Sequence, residues 1–312
     1  MELSQLEVLV AVAQEKGFSR AAQRLRRTQP AVSQAIRRLE AEIGAPVFDR
    51  SSKDATLTDA GRVLYGYALQ LLNLRRDARG AIHELADLKR GRVVVAANEY
   101  GVLHLLPVVE AYRARHPEIR VEIRRSLGSE IPSEVLRRDV ELGVVTYHPP
   151  QPGLRTMTIG NDDLVLLVAP GHRLARRAEV SIRDLGTERF LAHNVRSPFR
   201  ERAVQTFERH RTPLHIAVEL PTLEAIKRLV ERGLGVALIP RRVAQEELAR
   251  GDVVALEVRE MRLERAVHLL HREGAELSQA ARAFVICARE AARDGTRRAP
   301  RGAPARSPRA AR

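Results

Sequence analysis

The sequence predicts a composite α/β fold: an all-α head of winged helix-turn-helix form, one long connecting helix, and a C-terminal α/β body in two lobes. Three observations predict it. Residues 19–43 read SRAAQRLRRTQPAVSQAIRRLEAEI, two amphipathic helices joined by a tight turn. From Thr58 to about Leu88, apolar residues recur at steps of three and four. From Val93 onward, short β-branched runs alternate with helical patterns, the arrangement of a sheet covered by helices.

In the head, a period of 3.6 places Val32, Ile36, Leu39 and Ile43 on one stripe of the second helix. Pro30, Gln34 and Arg37 fall on the opposite side, flanked by Ser33 and Arg38. Ser19 is expected to cap the shorter first helix, with Ala21, Ala22 and Leu25 packing inward. Arg26, Arg27 and Thr28 make the turn, and Pro30 suits the first turn of the next helix, where a missing N–H costs nothing. Leu3 to Gln14 supplies a third helix through Leu6, Leu9, Val10 and Ala13; Gly44 is the expected C-cap and Phe48 the core plug. Asp49 to Lys53 reads as the wing. From Lys16 to Leu39 there are seven basic residues and no acidic one. Phosphate contacts need that single-sign field, and residues such as Gln34 and Arg37 make the bidentate bonds that read base edges. The expected DNA contacts are Ser19, Arg20, Thr28, Gln29, Pro30, Ser33, Gln34, Arg37 and Arg38, with Arg50 and Lys53 reaching out from the wing. A plain solvated basic face is the competing reading.

The run FSRAAQRLRRTQPAVSQAIRRLEAEIGAPVFDR, followed by LTDAG at Leu57 to Gly61, resembles the N-terminal domain of the LysR-type transcriptional regulators. The rest of the chain is similar to that family in order and length up to about residue 290, and LEAIKRLVERGLGVALIP, Leu223 to Pro240, is strongly family-like. The resemblance implies a regulator that binds an interrupted palindrome as a homodimer or homotetramer. It also implies a linker helix that pairs subunits, and a hinge-bending, periplasmic-binding-protein-like body that closes on a small-molecule effector. The domains on this reading are a head at 1–58, a linker at 59–90, an effector-binding domain at 91–295 and a basic tail at 296–312. Within the effector domain, lobe I takes about 91–160 and 266–295, and lobe II about 161–265.

Residues support these divisions independently. The linker seam Leu64, Ala68, Leu71, Ala78, Ile82 and Leu85 has no evident partner in the head, so burial on a second chain is expected, with packing on its own C-terminal body as the second choice. In the body, strands are expected at Val93–Ala97, Arg120–Arg124 and Leu142–Thr146, giving a parallel sheet. The Pro-rich segment His148 to Gly153 reads as the exit from lobe I. Lobe II is expected to hold strands at Leu164–Val168, Phe190–Ala192, Ile216–Leu220 and Leu234–Ile239. A strand at Ala266–Leu270 and a helix at Ser278–Ala292 return to lobe I.

Composition bounds the function. At 312 residues, 44% hydrophobic and 29% charged, the chain suits two or three globular domains. It carries no apolar run near the length of roughly 20 residues that crosses a bilayer, and no secretory signal, so a cytoplasmic, nucleoid-associated protein is expected. The lone Cys287 forms no internal disulfide and is read as a small packing residue. Of the net charge of +14, the tail holds +6, from six arginines and no acid, in a Pro/Ala/Gly context expected to be disordered. Such a tail is not required by the family; sequence-blind contact with phosphates and a solvated tail are both open readings. No phosphate-binding glycine loop, dinucleotide fingerprint or nucleophile elbow occurs, and no cofactor or metal is expected. A two-lobed α/β transferase with an accessory nucleic-acid head, and a purely architectural DNA protein, are the competing classes.

For the effector, ligands of two-lobed α/β folds sit beyond the carboxyl ends of strands, where helix N-termini also point. Four segments meet that description: Asn98-Glu99-Tyr100, Ser126 to Ser129, Thr146, and His193-Asn194 with Arg196-Ser197. Helix N-termini and Arg196 favour a carboxylate or phosphate on the ligand. Glu99 would oppose an anion unless it pairs with an amine, which favours a zwitterion or a hydroxylated acid.

Overall fold

The computed structural model describes residues 1–49, 54–86, 91–195, 197–261 and 265–298. Three helices form the head: α1 (Leu3–Glu15), α2 (Phe18–Leu25) and α3 (Gln29–Ile43). They bury Leu6, Leu9, Val12, Val32, Ile36 and Leu39 in one core. Phe48 closes it, edge-on to Phe18 with ring centroids 5.5 Å apart. Thr28 starts α3 by accepting the Ala31 N–H at 3.4 Å, and Gly44 ends it at φ 75°, a left-handed conformation that glycine adopts without strain. Two expectations fail locally. Ile43, the last residue of α3, overhangs the core and is 39% exposed. Ser19 does not cap α2: the helix begins one residue earlier, at Phe18, with Gly17 at the N-cap, and Ser19 is an exposed first-turn residue.

Beyond Phe48 the wing begins as a short antiparallel pairing, Phe48 against Leu57, with the Asp49 N–H donating to the Thr56 carbonyl at 2.8 Å. Helix α4 (Asp59–Ala86) then starts at Thr58, whose hydroxyl oxygen accepts the Gly61 N–H at 3.0 Å. A Cβ on Gly61 would stand 2.0 Å from the Val47 carbonyl oxygen, so this close crossing requires glycine.

The seam expected on α4 divides. Leu64 and Ala68 pack into the head core, contrary to the expectation that the seam lacks a partner there, because α1 lies alongside the first turns of α4. The stripe left in solvent is Val63, Tyr67, Leu71, Leu74 and Ile82, each between 38% and 66% exposed. On another side, Asn73 is buried against the same chain's C-terminal body. Its amide donates to the Arg137 carbonyl at 3.0 Å and to the Asp139 carboxylate at 2.8 Å, while Arg76 donates to the Arg138 carbonyl at 2.9 Å. Arg75 pairs with Glu7 of α1. Helix α4 therefore touches both head and body, and packing on its own body, the second choice from sequence, is present.

Lobe I opens with β1 (Arg92–Ala97), α5 (Glu99–Arg115), β2 (Arg120–Arg125), α6 (Ile131–Leu136), β3 (Leu142–Val145) and β4 (Leu154–Asp162). Lobe II contains β5 (Leu164–Val168), β6 (Glu179–Val180), β7 (Arg189–His193), α7 (Pro198–Arg209), β8 (His215–Leu220), α8 (Leu223–Glu231), β9 (Ala237–Pro240), α9 (Gln245–Arg250) and β10 (Val254–Val258). Strand β11 (Arg265–Arg272) and helix α10 (Gln279–Arg298) return to lobe I. The lobe I sheet has the order β2-β1-β3-β11-β4, and lobe II has β6-β10-β5-β9 and β7-β8.

The sheet of lobe I is mixed. Strand β1 runs parallel to β2 and β3, but β11 is antiparallel to both β3 and β4. One crossing strand leaves lobe I and the other re-enters it, so the two must oppose each other. This also corrects the exit point: His148 to Gly153 is the loop before β4, and the chain leaves after Asp162. Strand β4 is obscured in the sequence because Met157 and Ile159 alternate among threonines and charged groups. Helix α10 runs to Arg298, so Thr296 to Arg298 of the expected tail are helical, and residues 299–312 lie outside the described residues. No helix among the described residues is long and apolar enough to cross a membrane.

Candidate nucleic-acid interface and inter-lobe cleft

The apolar stripe of α3 faces the head core, which turns its other side outward. Gln34, Arg37 and Arg38 are exposed there, as are Thr28, Gln29 and Pro30 at the start of the helix. Ser33 is half-buried, and its hydroxyl oxygen accepts from the Gln29 side-chain amide at 3.0 Å, which braces the two against each other. Arg20 is engaged otherwise than expected: its guanidinium donates to the Glu15 and Lys16 carbonyls, both at 2.6 Å, and so satisfies the open end of α1. Arg50 and Lys53 fall outside the described residues.

Between the lobes lies a cavity of about 130 Å³. Eight residues nominated from the sequence meet in its wall: Asn98, Glu99, Tyr100, Ser126, Ser129 and Thr146 from lobe I, and His193 and Ser197 from lobe II. Asn194 does not join them; its N–H donates to the Leu220 carbonyl at 2.9 Å and continues the β7-β8 ladder, leaving the side chain in solvent. Arg196 lies outside the described residues.

Several wall groups already have partners. Asn98 caps α5 by accepting the Gly101 N–H at 2.8 Å. The Ser126 hydroxyl donates to Glu134 at 2.9 Å, and Ser197 caps α7 by accepting the Arg200 N–H at 3.2 Å. Glu99 belongs to the first turn of a lobe I helix, yet its carboxylate accepts the Leu223 N–H of α8, in lobe II, at 3.1 Å. Its other oxygen stands 3.6 Å from His193 Nε2, whose nearest acceptor is the Pro221 carbonyl at 3.0 Å. The positive end of α8 therefore holds the Glu99 charge. One Glu99 oxygen thus straps lobe I to lobe II, while the other is buried without a hydrogen-bond partner among the described residues, which is where the sequence reading expected an amine of the ligand.

Sequence reasoning missed two cations at the cleft. Arg125 closes β2 and Arg202 stands one turn into α7 from Pro198; both line the cavity and are exposed, and neither is in an ion pair with a described carboxylate. The i to i+4 relation of Pro198 and Arg202 places both on one helix face, a signal available in the sequence. Tyr147 was missed as well. Its hydroxyl donates to the Gly128 carbonyl at 2.9 Å, and burial pushes the phenol pKa up, so it remains a neutral donor. Among the described residues there is no cluster of groups able to hold a metal ion. The wall thus brings hydroxyl, amide and phenol groups from both lobes beside two exposed guanidinium groups.

Two family models match the head and the two-lobed body. Residues 3–62 match the bacterial regulatory helix-turn-helix protein, lysR family, and residues 86–293 match the LysR substrate binding domain. The chain belongs to the LysR family. It is therefore a LysR-type transcriptional regulator with a helix-turn-helix head and an effector-binding domain, which sets aside the transferase alternative. Among its relatives, a probable RuBisCO transcriptional regulator of Cyanidioschyzon merolae is 30% identical over 292 residues, covering 91% of this chain and 96% of that one. Another, of Synechocystis sp., is 28% identical over 290 residues, covering 91% and 84%. Among solved structures, the LysR family regulator CbnR aligns over 94% of this chain and 99% of its own, with TM-score 0.69 and 22% identity. The regulatory domain of Synechocystis CcmR, in complex with 2-PG, covers 66% of this chain and 99% of its own at TM-score 0.61 and 21% identity. These structures establish the likeness of fold.

Proposed function

We propose that this LysR-type regulator binds an interrupted palindrome through α3, as a dimer or tetramer, and changes its DNA contacts when a small anionic effector is held between the lobes. The supporting observation is the meeting of Arg125 from lobe I and Arg202 from lobe II around one cavity, beside the N-terminus of α7. An anion drawn to both cations favours closure, because its interaction with the two lobes is available only when they are together. The CcmR regulatory domain, solved in complex with 2-PG, and the solved complex of CbnR with its target DNA support this reading by analogy.

On this proposal residues 1–58 are the DNA-binding head, 59–90 the linker and 91–295 the effector domain. Oligomerisation uses the exposed stripe Val63, Tyr67, Leu71, Leu74 and Ile82, whose spacing suits a helical seam. A regulator of this kind works where the DNA is, in the cytoplasm. The relatives described as probable RuBisCO regulators supply a first class of promoter to test.

The test is a screen of metabolites for those that alter operator binding, repeated with Ser129→Ala combined with Thr146→Ala. The double variant should keep operator affinity and lose the effector response. Normal effector sensitivity in that variant would place the ligand elsewhere and remove the cleft from the mechanism.

A further inference from the structure

The cleft has an extension that the anion does not explain. A second cavity, of about 60 Å³, lies against lobe II between the β7-β8 sheet and helices α7 and α8. Tyr100, His193, Val195, Ser197 and Phe199 line both it and the main cleft, so the two spaces adjoin. The inner walls are apolar: Phe190, Phe199, Ala203, Ile216, Ile226 and Leu238. They come from two separate core clusters of lobe II, one containing Phe190, Ala203 and Leu238 and the other Ile226, and the cavity follows the seam where these meet.

The polar groups at its edge are engaged. The Arg200 guanidinium donates to the His193 carbonyl at 2.9 Å and pairs with Glu219; His193 Nε2 faces the Pro221 carbonyl at 3.0 Å; Ser197 serves as the α7 cap. A water in the chamber would find few partners, whereas a hydrocarbon group would lose nothing by entering it. A sugar phosphate, polar along its whole length, is the wrong shape of chemistry for such a space.

We propose that the effector is an amphipathic acid, whose anionic head lies between Arg125 and Arg202 and whose hydrocarbon tail fills this chamber. The inference rests on the cleft reading above and adds the ligand's second half. At roughly 10–15 Å³ for each water-sized unit, the chamber takes a tail of about four to six heavy atoms. Val195, Ser197 and Phe199 line both spaces, so the head and tail sites adjoin.

The probes are straight-chain monocarboxylates from propionate to octanoate, titrated into the full-length protein carrying ¹³C-labelled isoleucine and threonine methyls. Ile216 and Ile226 report on the chamber, and Thr146 reports on the cleft. The expected result is a shift of Thr146 with every acid and of Ile216 and Ile226 only with the longer ones. Affinity should rise about fourfold per added methylene until the chamber is full. Ala203→Leu, which narrows the chamber, should flatten that slope; the wild-type series decides the question even if this variant folds poorly. Acids that shift Thr146 with no dependence on length would overturn the chamber and leave the cleft standing. If no acid shifts Thr146, the anion cleft itself fails, and the amphipathic ligand with it.

Discussion

Asn73 offers the sharpest test of how the body reaches the head. It is a buried amide on α4, bonded to the Arg137 carbonyl at 3.0 Å and the Asp139 carboxylate at 2.8 Å. Those two acceptors sit just after α6, and α6 itself follows the Ser126 to Ser129 wall of the cleft. Two residues along α4, Arg75 holds Glu7 of α1. The chain of contacts from cleft to head is thus a few residues long. In Asn73→Ala, the Asp139 carboxylate keeps its bond from Arg137 Nε at 3.1 Å, but the Arg137 carbonyl loses its side-chain donor. Losing two hydrogen bonds, one of them to a charged group, costs about 1–3 kcal/mol, or roughly 5- to 150-fold in the docking of α4 on lobe I. Hydrogen exchange on the full-length protein reads this directly. The Arg138 and Asp139 amides, which donate to Val135 and Glu134 at 3.1 and 2.9 Å, should exchange faster in the variant, and the effector response should shrink while effector binding persists. Unchanged exchange over residues 134–140 together with an undiminished response would refute the role of this contact.

Other predictions follow from the same geometry. Gln34→Ala and Arg37→Ala should each lose about 1–3 kcal/mol of operator discrimination in competition assays, with little change in thermal stability because both are exposed. Leu74→Asp places a charge in the exposed stripe of α4, and light scattering should show a smaller oligomer; an unchanged mass would give the stripe another use. Removal of residues 299–312 should flatten the salt dependence of non-specific DNA binding while leaving operator preference intact. His268 titrates below its ordinary value near 6.5, first because it is half-buried and then because His148 is close, with ring centroids 5.7 Å apart. The fold therefore disfavours its charged form, so this contribution to stability is full above about pH 6.5 and is lost as pH falls through the folded value. An NMR titration of His148→Ala should move the His268 midpoint part of the way back up.

The sequence by itself determined the three helices of the head, short of where α2 begins and where Ile43 points. Its helices are amphipathic within a few turns, its caps are local, and the outward face of α3 is whatever the core does not take, so Gln34, Arg37 and Arg38 were legible from periodicity. The alternation of strands and helices was legible for the same reason. Local pattern did not reach what depends on partners distant in the chain. Strand β4 is defined by pairing with β11, about a hundred residues away, and its own alternation is too weak to announce it. Leu64 and Ala68 look like a free seam until α1 is laid against them. Glu99 reads as a ligand contact alone until the N-terminus of α8, 124 residues on, is found at one of its two carboxylate oxygens. Arg125 and Arg202 come from different lobes and become one site only when the chain has crossed between the lobes and back. A side chain's periodicity is set by its neighbours in sequence, whereas the partner of a charge is set by the tertiary fold.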